Sequence, residues 1–241
     1  MGNDIVTHKF ANGIVVNQAA LDPVQIERYT AENASNLHEP VEECWFSHVF
    51  ERTGEDGLFV DVGAAIGYYS VLVRRAKPGW SIRAMEPWDQ MRGALSETFS
   101  LNDLAMDGVT VDVRALSSKD GTTRFRTESF GSGISKSRRL FRKSEIKVQT
   151  VDPATLLAEI ERPVSLMKID IQGHEVDVLK AAEAELAKGL VQWIILGTHG
   201  PEIHDSCLDI LSRSFEIVHD EKEPDEQPDG IIVARFSGSD A

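Results

Sequence analysis

The stretch Leu58-Phe59-Val60-Asp61-Val62-Gly63-Ala64-Ala65-Ile66-Gly67-Tyr68 decides the fold. Its apolar first half and the turn of small residues after it indicate a buried strand followed by a helix. Glycines in such a turn let the backbone approach a ligand closely, and the helix start offers free N–H groups and the positive end of its dipole. Asp61 adds a carboxylate at the same point. The alternative is an ordinary strand–helix turn whose glycines serve packing.

Apolar strands and amphipathic helices continue to alternate from this stretch to the C-terminus. The alternation predicts an α/β protein with a mostly parallel sheet and helices on both faces. The predicted strands are Leu58–Val62, Ser81–Glu86, Val109–Arg114, Val164–Asp170, Leu190–Leu196, Phe215–His219 and Gly230–Phe236. The predicted helices between them are Ile66–Ala76, Trp88–Leu101, His174–Lys188 and Pro201–Ser212.

Two segments interrupt this alternation. Residues 1–56 are mixed and acidic, with a predicted helix over Glu39–Arg52, and we interpret them as an N-terminal extension. Residues 57–241 then form a single domain. Within it, residues 117–151 hold two alternating runs around a Gly/Ser-rich stretch, which predicts a β-hairpin and loop inserted after the third strand.

Composition and charge narrow the class of protein. The 241 residues carry a formal net charge of −14, and 41% of them are hydrophobic, which is typical of a folded globular protein. This charge argues against a protein that coats duplex DNA, so we expect no nucleic-acid partner. The cysteines, Cys44 and Cys207, allow one disulfide but no zinc cluster. No apolar run has the length of a membrane span and no signal-peptide pattern is present, so we expect a cytoplasmic protein.

A second carboxylate follows the glycine turn at a spacing typical of nucleotide-binding α/β folds. Glu86 ends the next predicted strand, where an acidic side chain can accept hydrogen bonds from both ribose hydroxyls. The turn lacks the middle glycine of the Gly-x-Gly-x-x-Gly pattern, and Asp61 would repel a pyrophosphate. Asp61 instead suits the cationic amino-acid end of S-adenosylmethionine. We therefore expect this methyl donor rather than NAD.

Five short motifs lie in order along residues 57–236. They are Val60-Asp61-Val62-Gly63-Ala64-x-x-Gly67-Tyr68-Tyr69-Ser70, Glu86-Pro87, Asn102, Ala115-Leu116-Ser117, and Met167-Lys168-Ile169-Asp170-Ile171-Gln172-Gly173-His174-Glu175 with Val178-Leu179-Lys180 after it. In this order they resemble the FkbM-type methyltransferases. The resemblance implies a class I S-adenosylmethionine-dependent methyltransferase with a Rossmann-like sheet of seven strands, one of them antiparallel. It also implies that the reaction is O-methylation of a hydroxyl.

The resemblance assigns residues to the donor site, and this sequence departs from the family pattern at two positions. The residues assigned to the donor are Asp61, Gly63, Ala64, Gly67, Glu86, Pro87 and Asp170, with Ala115 and Leu116 near the adenine. Gly197 stands where many relatives carry Glu, so we expect no carboxylate-based catalytic or metal role at that position. Ala181 stands where Gly commonly follows the Leu-Lys pair.

The stretch from Asp170 to Glu175 supplies the candidate catalytic residues. Asp170 ends a predicted strand, and ligands in open α/β sheets lie beyond such ends. Methyl transfer to a hydroxyl needs in-line positioning and a base, so we assign Asp170, His174 and His199 to catalysis. The alternatives are helix capping for Asp170 and Glu175 and a structural role for His174.

A divalent metal is a variant of this hypothesis. Asp170, His174, Glu175 and His199 include ligand types for Mg²⁺, which would lower the pKa of an acceptor hydroxyl. Their spacing matches no metal motif. We therefore keep Mg²⁺ as an alternative and assign no metal ligands.

The inserted segment is basic in an otherwise acidic chain. Residues 122–147 hold eight Lys and Arg against two Glu, a net charge of +6. A basic lid that includes Arg138, Arg139, Arg142 and Lys143 would suit an anionic acceptor. The alternative is a solvated loop that pairs with the acidic N-terminal extension.

The sequence therefore predicts methylation of a hydroxyl on a small molecule or saccharide. His38 and Glu39, ahead of the helix in the N-terminal extension, are candidates for the acceptor pocket. Two other functions remain open at this point. One is an NAD-dependent oxidoreductase on the same kind of sheet, and the other is a ligand-binding protein that has lost catalysis.

Overall fold

The computed structural model describes residues 5–127, 133–134 and 145–238, and its N-terminal segment packs into the main core. This segment holds the strands β1 (Thr7–Lys9) and β2 (Val15–Asn17), a 3-10 turn (Gln18–Ala20) and the helices α1 (Pro23–Thr30) and α2 (Pro40–Glu51). Asp22 caps α1 by accepting a hydrogen bond from the backbone N–H of Gln25. Phe46 on α2 is fully buried and stacks on Tyr69 at 4.8 Å between ring centroids.

The central sheet has seven strands, six of which run in one direction. Its strands are β3 (Leu58–Val62), β4 (Ser81–Met85), β5 (Val109–Asp112), β10 (Leu166–Ile169), β11 (Trp193–Thr198), β12 (Phe215–Glu221) and β13 (Gly230–Phe236), numbered in chain order among all strands. Their order across the sheet is β12-β13-β11-β10-β3-β4-β5, and β13 is antiparallel to both of its neighbours. This arrangement confirms the predicted class I methyltransferase architecture, including the single antiparallel strand.

Helices cover both faces of the sheet because successive residues of the strands point to opposite faces. The connecting helices are α3 (Tyr68–Ala76), α4 (Asp89–Leu101), α5 (Pro153–Glu159), α6 (Glu175–Leu186) and α7 (Pro201–Leu211). In β3, Phe59 belongs to the apolar cluster that includes α3 and α4, whereas Val60 belongs to the cluster under α5, α6 and α7. The fully buried β3 is thus a two-sided core strand.

The inserted segment forms its own sheet rather than an isolated hairpin. The strands of this second sheet are β6 (Ala115–Leu116), just before the insertion, and β7 (Gly121–Arg126), β8 (Gly133–Ile134) and β9 (Glu145–Val151) within it, in the order β6-β9-β7-β8. The predicted strand Val109–Arg114 therefore ends two residues earlier than expected. Arg114 forms an ion pair with Asp112 at 2.7 Å, and the chain then joins the second sheet.

Some elements were absent from the predictions. The strands β1 and β2 and the helices α1 and α5 are too short for a clear hydrophobic period. Both cysteines are free, so the disulfide that the sequence allowed does not form. None of the helices within the described ranges is long and apolar enough to span a bilayer.

We expect Phe46→Ala to lower the free energy of unfolding by about 3–5 kcal/mol, because it removes a buried aromatic ring between α2 and the sheet. The unfolding should remain a single transition in urea, followed by far-UV and near-UV circular dichroism. Val6→Ala in the same segment is the control, since Val6 is 66% exposed. Two separate transitions in the wild type would contradict a shared core.

Candidate active site

A cavity of about 350 Å³ lies at the carboxyl ends of β3, β4 and β10. Parallel strands place their ligand sites at this edge. Three separate parts of the chain add to its wall: the sheet ends, the N-terminal segment and the insertion. The wall residues used below are Asp22, Gln25, Arg28, His38, Glu39, Gly63, Ala65, Glu86, Pro87, Arg114, Ala115, Leu116, Phe125, Gly133, Ile134, Asp170, Gln172 and Asp229.

The glycine turn closes tightly against the end of β10. Gly63 has φ +85°, and a Cβ placed on it would lie 1.9 Å from the carbonyl oxygen of Asp170. Gly67 has φ +78°, and its Cβ would lie 2.6 Å from Leu95 Cγ. These are the two positions where the turn requires glycine. Gly63 and Ala65 line the cavity, whereas Ala64 and Gly67 lie behind its wall.

Glu86 faces the cavity from the end of β4. Its two carboxylate oxygens accept hydrogen bonds from the backbone N–H groups of Ala65, at 3.0 Å, and Trp88, at 2.7 Å. Burial raises the pKa of Glu86 to about 7, against the lowering effect of these two hydrogen bonds. Each carboxylate oxygen keeps acceptor capacity for a ligand hydroxyl. The structure thus brings Glu86 and the glycine turn together as the sequence predicted.

The wall beside Glu86 is apolar. Pro87, Ala115 and Leu116 line it, at the junction between the central sheet and the inserted sheet. Trp88 instead packs against the small cluster that includes Ala115 and Phe125, and it is not part of the wall. The predicted positions of Ala115 and Leu116 beside a nucleoside are therefore compatible with the cavity.

Asp61 lies behind the wall. It is 1% exposed and accepts a hydrogen bond from Ser70 Oγ at 2.6 Å. Burial raises the pKa of Asp61 to about 6. Asp61 is buried because it shares a face of β3 with Phe59 and points beneath α3. Its assignment to the amino-acid end of the donor remains a prediction without a contact to the cavity.

Lys168 is a buried charged residue beside the site to which the sequence analysis assigned no role. It is 2% exposed, and its Nζ lies 3.2 Å from Asp170 Oδ2 and 3.3 Å from Glu42 Oε2. The same Nζ lies 4.5 Å from the centroid of the Tyr69 ring. Burial alone would lower the pKa of Lys168, but the surrounding carboxylates raise it well above its usual value. A Lys inside the apolar run of β10 was the signal.

Asp170, His199 and Asp229 converge beside the cavity. His199 Nε2 lies 3.5 Å from Asp170 Oδ1 and 3.5 Å from Asp229 Oδ1, while its Nδ1 lies 2.8 Å from Glu175 Oε1. Burial alone would lower the pKa of His199, but Glu175, Asp170 and Asp229 raise it to about 9. His199 is therefore an imidazolium at neutral pH, and it does not line the cavity.

The two cavity carboxylates of this group differ in basicity. Burial opposes ionisation of Asp170, yet Lys168 and His199 lower its pKa to about 2. Burial raises the pKa of Asp229 to about 6, with only partial compensation from His199. Asp170 is thus a permanent anion at neutral pH, and Asp229 is the carboxylate with the higher proton affinity.

His174 occupies the N-cap position of α6 and is buried outside the cavity wall. The described ranges contain no group of three or more His, Cys, Asp or Glu residues arranged to hold a metal ion. The structure therefore brings Asp170 and His199 together but not His174, and the Mg²⁺ expectation finds no ligand set among these residues.

Comparison with known proteins identifies the family. A family model described as "Methyltransferase FkbM domain" matches residues 61–216. The chain belongs to this family. It is an S-adenosylmethionine-dependent methyltransferase, as its motifs indicated. The match gives no support to an NAD-dependent oxidoreductase.

Individual relatives agree with the family match. The methyltransferase sdnD of Sordaria araneosa is 27% identical over 212 residues, covering 74% of this chain and 81% of sdnD. The crystal structure of methyltransferase FkbM from Methylobacillus flagellatus KT has a TM-score of 0.55 at 17% identity and covers 76% of this chain. This chain spans 44% of that structure. An rRNA methylase from Streptococcus thermophilus has a TM-score of 0.50 at 9% identity, with 80% and 94% covered. Both structural similarities concern the fold alone.

Glu86→Gln should weaken the binding of S-adenosylhomocysteine about tenfold at pH 8, because an amide has only one acceptor oxygen for two ribose hydroxyls. The wild-type affinity should itself fall as the pH drops through about 7, where Glu86 takes up a proton. Titration calorimetry between pH 6 and 8.5 measures both effects. Glu202→Gln on the exposed start of α7 is the control. An affinity that is constant over this range in the wild type would contradict the role of Glu86.

Proposed function

We propose that this methyltransferase methylates a hydroxyl of a small molecule or saccharide. The observation that carries the proposal is the pair of carboxylates Asp170 and Asp229, which lie in the cavity wall and converge on His199. Carboxylates accept hydrogen bonds from hydroxyl groups, and one of them can take the proton that an acceptor hydroxyl loses.

Other residues of the cavity wall fit S-adenosylmethionine. Gly63 brings the backbone of the turn to the cavity without a side chain, and the carboxylate of Glu86 lines the cavity beside an apolar wall. When bound, the donor supplies an electrophilic methyl group on a cationic sulfur. The protein then has to orient the acceptor oxygen, exclude water and accept one proton.

Asp229 is the residue that we assign to proton acceptance. It lines the cavity, and a carboxylate with a pKa near 6 is ionised at neutral pH but more basic than Asp170. His199, with a pKa near 9, already holds its proton at that pH and is better suited to positioning Asp170 and Asp229. We assign Asp170 to orienting the acceptor hydroxyl.

Two further parts of the chain support a covered acceptor pocket. Residues 1–56 contribute His38, Glu39 and four residues around α1 to the cavity wall. The insertion contributes Phe125, Gly133 and Ile134. We therefore propose that both segments shield the acceptor from water.

An anionic acceptor remains a sequence-based proposal, because Arg138, Arg139, Arg142 and Lys143 lie outside the described residues. The cytoplasmic location also remains an expectation from the sequence.

Calorimetry should show binding of S-adenosylhomocysteine by the wild-type protein and no comparable heat with NAD. The turn around Gly63 lacks the glycine that a pyrophosphate requires, and Glu86 and the apolar wall suit one nucleoside. The variant Gly63→Ala should lose S-adenosylhomocysteine binding, because the new Cβ would overlap the carbonyl oxygen of Asp170. Tight NAD binding without S-adenosylhomocysteine binding would overturn the proposed function.

Methyl transfer should fall at least about 100-fold in Asp229→Asn, because the amide cannot take up the hydroxyl proton. The measurement uses S-adenosylmethionine labelled in the methyl group and a panel of saccharides and hydroxylated small molecules. The label should resist alkaline hydrolysis, as a methyl ether does and a methyl ester does not. For the wild type, the rate should rise with pH through about 6, where Asp229 loses its proton. Asp225→Asn in the same loop is the control, and label in an ester product would contradict O-methylation of a hydroxyl.

A further inference from the structure

One helix of the N-terminal segment presents a polar stripe to the cavity. Asp22, Gln25 and Arg28 line the wall at a spacing of three residues, which places them on one face of α1. The adjacent Tyr29 is buried, and its hydroxyl lies 2.5 Å from His38 Nδ1. This contact fixes which side of α1 faces the cavity.

Arg28 is held in place without a carboxylate partner. Its Nη2 donates hydrogen bonds to the carbonyl oxygen of His38, at 3.1 Å, and to Tyr29 Oη, at 3.2 Å. Within the described ranges, no Asp or Glu forms an ion pair with Arg28, and its buried Nε has no hydrogen-bond acceptor. The other arginine of the wall differs, since Arg114 pairs with both Asp112 and Glu159. Arg28 thus presents positive charge to the cavity that a ligand anion would neutralise.

A negatively charged side chain, Glu39, lies eleven residues after Arg28 in the chain. Glu39 lines the same cavity, and its Oε2 accepts a hydrogen bond from Tyr69 Oη at 2.7 Å. His38, between the two charges, packs its ring 4.8 Å from that of Tyr68, which follows the glycine turn. Arg28 and Glu39 therefore stand on the side of the cavity next to this turn. They form no ion pair with each other among the described contacts.

We propose that Arg28 and Glu39 bind the amino-acid end of the donor, with its α-carboxylate on Arg28 and its α-ammonium on Glu39. This inference rests on the proposed donor site. A separated cation and anion match a zwitterion, and the α-carboxylate is the only anionic group of S-adenosylmethionine. The amino-acid contact that the sequence assigned to Asp61 would then come from the N-terminal segment.

The test compares three ligands that differ only at the amino-acid end. They are S-adenosylhomocysteine, its decarboxylated analogue, which keeps the amine, and 5′-methylthioadenosine, which lacks the amino acid. Calorimetry of the full-length wild type, Arg28→Met and Glu39→Gln measures each affinity. Arg52→Met is the matched control, because Arg52 lies in the same segment but is half-exposed and contacts Glu51.

Arg28→Met should weaken S-adenosylhomocysteine binding about 10- to 100-fold and leave both other ligands within about twofold of the wild type. Glu39→Gln should weaken S-adenosylhomocysteine and the decarboxylated analogue, but not 5′-methylthioadenosine. Equal weakening of all three ligands in Arg28→Met would overturn the inference in favour of a structural role. Unchanged S-adenosylhomocysteine binding in Arg28→Met would overturn it too and would leave the acceptor as the source of any anion. A wild type that binds none of the three would instead refute the proposed donor site.

Discussion

The ammonium group of Lys168 is the interaction on which the rest of the site depends. A buried cation is costly unless carboxylates surround it, and removal of one partner leaves the other charge uncompensated. Lys168 lies in the middle of the sheet, and its partners come from α2 and from the end of β10. It also lies over the ring of Tyr69 on α3. One charge thus fixes the N-terminal segment, the glycine-turn helix and the end of β10 relative to one another.

This arrangement explains why a cavity forms from parts that are distant in the chain. The sheet supplies Gly63 and Glu86 at fixed strand ends, whereas α1 and the residues just before α2 supply another wall. The two walls share one apolar core, in which Phe46 of α2 packs against Tyr69 of α3. Because the core is common, the positions of Arg28 and Glu39 are set by the same packing that sets the glycine turn.

The residues that sequence reasoning placed correctly depend on local signals. Gly63 and Glu86 follow buried strands, and the hydrophobic pattern of each strand can be recognised within a short stretch of sequence. Asp61 was not placed at the cavity, because alternation along β3 puts its side chain on the same face of the sheet as Phe59. In the N-terminal segment the sequence predicted the helix over Glu39–Arg52, which corresponds to α2, and named His38 and Glu39, which line the cavity. It did not predict β1, β2 or α1, because three-residue strands and an eight-residue helix show too little periodicity.

The protonation states could not be inferred from residue types. A histidine beside a predicted base suggests proton acceptance, yet three carboxylates hold His199 as a cation. The imidazolium of His199 and the ammonium of Lys168 keep Asp170 ionised, so the pKa of Asp170 lies well below that of Asp229. These different environments suit Asp170 and Asp229 to the two roles that we propose for them: Asp170 orients the acceptor hydroxyl as an anion, and Asp229 accepts its proton.

Asp229 has a second property that suits proton acceptance. Its side chain is 23% exposed, so a proton taken from the acceptor can pass to solvent. At neutral pH a carboxyl with a pKa near 6 gives that proton up again before the next turnover. Gln227 holds this loop at the cavity, because its side chain accepts a hydrogen bond from the backbone N–H of Glu42 and donates one to the carbonyl oxygen of Asp229. The acidic turn before β13 is therefore anchored to the helix whose Glu42 binds Lys168, and Asp229, which we propose as the proton acceptor, belongs to the same charge network as Lys168 and Asp170.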